Sequence, residues 1–146
     1  MMALAMAALA GMLMVLSYAS SVPTQAAMVT KLKGQVAATN FLSYRQSVVG
    51  YVNANTGFSG TVPDASMTFQ AGYIRNASWT NQVTGGTLYV YSTSVPPSGT
   101  FDSLYSMTSQ SPMIGIVSGG VSISPAGISV SVPVSIPNGN IVFIGQ

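Results

Sequence analysis

Thr30 and Lys33 stand three residues apart in TQAAMVTKLKGQ, a stretch that reads as helix, so a hydroxyl and an amine fall one turn from each other. A hydroxyl nucleophile with a lysine base is the covalent chemistry such spacing offers. A lone T-x-x-K is weak, however, and the motifs that usually accompany it are missing. Asp64 and Asp102 are the only acidic residues. A two-carboxylate hydrolase needs both in one cleft. Asp64 instead sits in a Val-Pro-Asp turn, and Asp102 in the first turn of a short helix, where the helix dipole favours a negative charge. Histidine, cysteine and glutamate are absent. That excludes a zinc site, a Ser-His-Asp triad and a Cys-His pair. There is no GxxxxGK[ST] phosphate loop. The sequence therefore reads as a non-enzyme, with no catalytic, cofactor-binding or metal-ligating residues and no cofactor.

Binding chemistry is equally sparse. Lys31, Lys33, Arg45 and Arg75 are the only cations, whereas a nucleic-acid backbone typically takes about 6–10 phosphate contacts. Nucleic acid is excluded as a partner, and nothing points to a small-molecule substrate. Lys31 and Arg45 share one side of the helix and read as a solvated face. Trp79 and the tyrosines at 73, 89, 91 and 105 offer a binding face, but read first as core and sheet aromatics. Asn76-Ala77-Ser78 fits a glycosylation sequon, a tripeptide frequent by chance. Charged residues make up 4% of the 146-residue chain, against roughly 25% in an average soluble protein. A neutral surface of serine, threonine, glycine and asparagine fits an exported protein better than a cytosolic one, which usually relies on charge for solubility.

The elements that must carry these residues begin with MMALAMAALAGMLMVLSYA, residues 1–19, which holds no charged side chain. Nineteen helical residues span about 28 Å, close to the hydrocarbon core of a bilayer. The stretch reads as a membrane anchor; a cleaved signal is the alternative, with Ser17-Tyr18-Ala19 or Thr24-Gln25-Ala26 before the cut but no basic n-region. A processed type IV prepilin is a poor match. Gly11 precedes Met12, but Leu16 stands where a glutamate is needed.

Residues 20–146 read as one exported α+β domain. Ser20-Ser21-Val22-Pro23 reads as a break and restart, followed by a helix over residues 23–54. Val22, Val29, Leu32 and Val36 share one face of it, and Phe41, Tyr44, Val48 and Tyr51 share another, so the stripe wraps or the helix bends. The region 67–146 is β-rich. Met67–Phe69 and Gly72–Ile74 are short apolar pieces. Thr87–Tyr91 is a strand entered through Gly85-Gly86, and Thr100 caps a short helix. Met113–Val117 and Val121–Ser124 form a hairpin around Gly119-Gly120. In Gly127–Pro137 the residues Ile128, Val130, Val132, Val134 and Ile136 alternate onto one face, a half-buried strand that Pro133 places at a sheet edge or bulge. Asn138-Gly139 then turns into Ile141–Ile144. The expected architecture is an N-terminal transmembrane helix, then a long helix packed on an antiparallel sheet, a pilin-like outline.

This order of parts resembles the PilM family, small proteins of the type IVB thin-pilus clusters of conjugative plasmids. The resemblance is carried by the uncharged apolar start, the helix ending near Tyr51, the loop NANTGFSGTVPDAS, the piece GYIRNASWTN, the strand GTLYVYS and the glycine- and serine-rich tail. It implies an inner-membrane component of a pilus assembly or pilin transport apparatus, structural or scaffolding in role, with its C-terminal domain in the periplasm. The expected partners are the membrane, through the N-terminal anchor, and other pilus assembly proteins, with a homo-oligomer left open. No functional residues carry over. Two other readings stay open: a pilin-like or pseudopilin-like fibre subunit, and a secreted adhesin-like module. The edge strand Gly127–Pro137 is a candidate for adding to a partner's sheet, with pairing inside the chain as the plainer reading.

Overall fold

A computed structural model describes the backbone of residues 2–145 and the side chains of residues 25–145. The first element is a single helix, α1 (Met2–Ala54). The break expected at Ser20–Pro23 is therefore corrected. The fixed φ of proline is itself helical, and the helix continues past it at the expense of one backbone hydrogen bond. The side chains of residues 1–19 lie outside the described ones, and with them the expected membrane segment. Among the described residues no helix is long and apolar enough to cross a membrane.

Six strands form one sheet: β1 (Trp79–Thr84), β2 (Thr87–Ser92), β3 (Ile114–Ser118), β4 (Val121–Ile123), β5 (Ser129–Ser131) and β6 (Ile141–Ile144). Their spatial order is β1-β2-β6-β3-β4-β5, antiparallel throughout. Both predicted glycine-pair hairpins are present. Gly85 and Gly86 have φ of 58° and 77°, and Gly119 and Gly120 have 59° and 79°, the left-handed pair that a two-residue hairpin requires. A short helix, α2 (Thr100–Met107), connects β2 to β3. Thr100 is its first residue and not its cap. Its hydroxyl donates backwards to the Pro97 carbonyl at 2.6 Å, and Gly99 takes the cap position at φ 80°.

The sheet is covered on both faces. On one, Phe41, Tyr44 and Val48 of α1 pack with Trp79, Val83, Leu88, Val90, Ile141 and Phe143, and Leu104 of α2 closes the cluster. Each such side chain, once fully buried, contributes roughly 1.5–3 kcal/mol. On the other face Tyr91, Val117, Val142 and Ile144 pack with Val132 and Ile136. The alternation of β6, all four of whose residues are buried, is thus shared between two cores. Helix α2 presses against α1 where the backbone of Gly34 meets that of Gly99. A Cβ on Gly34 would lie 2.5 Å from the Gly99 carbonyl carbon.

Two β expectations are corrected. Residues 67–74 form no strand; the region holds a 3-10 turn at Asp64–Ser66, and Phe69 and Tyr73 stack at 4.7 Å against the α1 face of the core. The long strand Gly127–Pro137 is cut to β5. Pro133 cannot donate to the ladder, and the chain turns there, with the Ile136 N–H donating to the Pro133 carbonyl at 3.0 Å. The segment then crosses beneath the sheet, and the Ser135 hydroxyl reaches Gln82 Oε1 on β1 at 2.6 Å. The edge placement of β5 holds, but Val132 and Ile136 are core while Val134 is fully exposed.

Candidate interaction surface

The described part of α1 carries two apolar faces. Ala37, Ala38, Phe41, Tyr44, Val48 and Val52 are buried against the sheet and α2. Val29, Leu32 and Val36 fall on a narrow arc roughly 140° away at 100° per residue, and they are 49%, 49% and 69% exposed. The first of the two apolar faces read from the sequence is therefore an outer face. Core formation uses only the residues from position 37 onward, because the sheet does not reach further towards the N-terminus.

That outer stripe is one wall of a groove of about 770 Å³. The other wall is the segment Ile74–Ala77 with Pro97, and Ile74 is 80% exposed. Asn40 fixes the two walls together. Its Nδ2 donates to the Ile74 carbonyl at 2.9 Å, while its Oδ1 accepts from Trp79 Nε1 at 2.8 Å and from the Tyr73 hydroxyl at 3.4 Å. Arg75 holds the same segment from the other side. Its Nε pairs with Asp64 at 2.8 Å, one Nη donates to the Trp79 carbonyl at 2.7 Å and the other to the Asn76 carbonyl. The guanidinium carbon lies 4.4 Å from the centre of the Tyr44 ring, a cation–π arrangement.

The electrostatics of this wall are set by burial. Removal from water pushes the Tyr44 phenol above its ordinary pKa against the opposing Asn81 hydrogen bond, and desolvation does the same to Tyr73. Asp64 neutralises Arg75, and Lys33 stands at the rim with no carboxylate among the lining groups. The groove can hold apolar side chains of another helix or strand; its lining has no nucleophile paired with a base.

The residues singled out from the sequence are scattered by the fold. The Thr30 hydroxyl donates to the Ala26 carbonyl at 3.0 Å within its own helix, which leaves the T-x-x-K pair unconnected. Asp64 is spent on Arg75, and Asp102 lines a separate cleft between α1 and α2 with Lys31. Arg45 is no solvated residue. It lies 4.0 Å over the Phe143 ring and donates to the Gly145 carbonyl at 3.0 Å, and burial lowers its pKa. Trp79 and Tyr91 are buried, and Tyr73, Tyr89 and Tyr105 are half-buried, so the aromatics form no open face. Asn76 accepts from the Ser78 N–H at 2.9 Å in a local turn. The groove itself was missed from the sequence, although its signal, the set Val29, Leu32 and Val36, was visible as one apolar face of the helix.

A family model described as PilM matches residues 5–144. A crystal structure of a PilM protein from Escherichia coli B7A superposes with a TM-score of 0.59 at 17% identity, covering 78% of this chain and 92% of that one. That likeness bears on the fold. A PilM structure from Pseudomonas aeruginosa 2192 superposes with a TM-score of 0.49 at 25% identity, covering 78% of this chain and 96% of that one. No curated protein matches.

Proposed function

We propose that this chain, which belongs to the PilM family, is an anchored scaffold of a type IV pilus assembly apparatus: a non-enzymatic structural component held in the inner membrane, with residues from about 20 onward in the periplasm. Family membership relates the chain to pilus biogenesis; the anchor, the compartment and the scaffolding role are our reading. The observation that carries it is the continuity of α1 from Met2 to Ala54. One helix leads from the uncharged apolar segment at residues 1–19 to Phe41, Tyr44 and Val48, which hold the sheet. A force or displacement at either end is thereby passed along a hydrogen-bonded rod. The chemistry of the chain supports the same role. Of its two aspartates one is ion-paired, and histidine, cysteine and glutamate are absent from the sequence.

The test is the intact mass of the protein from fractionated producing cells, joined to piliation of a deletion strain. Full-length mass in the inner membrane and pili restored by the full chain are the expected results. A mass short by the first 19–26 residues, found in periplasm or medium, overturns the anchor; normal pili in the deletion strain overturn the scaffold.

A further inference from the structure

The C-terminal turns of α1, from Ser43 to Ala54, form one wall of a separate cleft of about 510 Å³. Ser66, Thr68 and Gln70 form the other wall. Among the described residues its lining consists of hydroxyls, amides and small side chains, with the Tyr51 ring but no charged group. We propose that this cleft binds an extended, uncharged segment of another protein, held through the main chain of that segment.

Two observations favour such an occupant. The first is the wall at residues 66–70. Met67 has extended backbone, with φ −91° and ψ 144°. Burial then alternates as in a strand: Met67 is buried, Thr68 exposed, Phe69 half-buried and Gln70 exposed. The segment nevertheless joins no ladder of the sheet. Among the described residues, the N–H groups of Thr68, Phe69 and Gln70 and the carbonyls of Thr68 and Phe69 have no backbone hydrogen-bond partner. Such groups are satisfied by water or by an added strand, which gains affinity from main-chain bonds. The second is Gly50. Glycine inside a helix weakens it relative to alanine. Gly34 has a packing reason, the Gly99 backbone, whereas an added Cβ at Gly50 would meet nothing within 4 Å. Its missing side chain keeps the floor of the cleft open to the close approach of another backbone.

Length and charge define the occupant further. From Ser43 to Ala54 the helical wall spans roughly 17 Å, the reach of about five residues of extended chain. A lining without charge leaves the side chains of a charged segment unpaired, which selects an uncharged one. A neutral sugar would also meet hydroxyls and amides, but the unpaired strand-like backbone matches the repeat of a polypeptide. The cleft lies within residues 43–70 and requires neither the anchor nor the pilus role.

The test uses the full chain in detergent micelles, a library of uncharged heptapeptides, and chitotetraose as the sugar probe. Peptides that bind are remade with single N-methyl groups along the backbone, and the protein's amide signals are followed by NMR. Shifts confined to the amides around Gly50 and Thr68–Gln70 are expected, with at least about a tenfold loss of affinity on N-methylation at alternate residues. Gly50→Leu fills the floor and Ala54→Leu narrows one end; both positions are exposed, so unchanged unfolding midpoints and about tenfold weaker binding are expected of each. Parent-like binding by both variants, insensitivity to N-methylation, or no library member binding below about 1 mM overturns the proposal. Chitotetraose shifting the same amides where no peptide does overturns it in favour of a sugar.

Discussion

The indole Nε1 of Trp79 donates to the side-chain oxygen of Asn40 at 2.8 Å, joining the first strand to the middle of α1. The other half of the same amide holds the Ile74 carbonyl. Asn40 thus satisfies one buried donor and one loop acceptor at once, and it sits at the point where the core face of α1 gives way to the groove.

Asn40→Ala leaves the indole N–H without its acceptor inside the protein. An unsatisfied buried donor costs about 1–3 kcal/mol. The expected outcome is a loss of that size in urea unfolding, with increased hydrogen exchange at residues 73–76. An unchanged midpoint would show that water reaches Trp79.

Glycines in one helix should respond with opposite signs. Alanine at Gly50 meets nothing within 4 Å and improves helix propensity, so Gly50→Ala is expected to stabilise by about 0.5–1 kcal/mol. Alanine at Gly34 would press on the Gly99 backbone at 2.5 Å, where no side chain can swing aside. Gly34→Ala should cost about 1–3 kcal/mol, the usual range for overpacking. Chemical denaturation of both variants checks the pair, and stabilisation by both would mean that α2 is not seated on Gly34.

Stability should fall in alkali. Burial raises the folded-state pKa of Tyr44 and Tyr73 above that of the unfolded chain. Their neutral forms therefore support the fold below the unfolded pKa of about 10, and this support is lost as pH rises from there through the folded values. Tyr44 also accepts a hydrogen bond from Asn81 Nδ2 at 2.8 Å. Tyr44→Phe is expected to lose about 1 kcal/mol at neutral pH and to fall less steeply than the parent above pH 10. Thermal midpoints of the two proteins across pH 8–11 decide it, and parallel curves would remove Tyr44 as a cause.

What the sequence made readable follows the physics of each segment. Glycine pairs required left-handed backbone, which located both hairpins. The spacing of Phe41, Tyr44 and Val48 located the helix face that meets the sheet, because a helix of this length has one direction in which it can bury them. The cut in Gly127–Pro137 was signalled by Pro133, but the alternation around it pointed to a strand face that does not exist. Apolar spacing records which residues avoid water and not which core they join, and here Val132 and Ile136 join a core made by turning under the sheet. The groove was missed for a related reason. Val29, Leu32 and Val36 have core-like spacing, and nothing local to α1 shows that the sheet ends before reaching them.

Val132 and Val134 separate the turned segment from a simple edge strand. In a period-two strand both would lie on one face and respond alike. In the structure Val132 packs with Tyr91, Val117, Val142 and Ile144, whereas Val134 is fully exposed two residues later. Val132→Lys places an ammonium in an apolar cluster that offers it no carboxylate, since Asp64 and Asp102 are both placed elsewhere. Val134→Lys adds a charge already in water. The first is expected to cost more than about 3 kcal/mol and the second to stay within about 0.5 kcal/mol of the parent. Urea unfolding of both variants measures the difference. Equal small effects would mean that the second core is open to solvent, and equal large ones that residues 132–136 run as one buried strand.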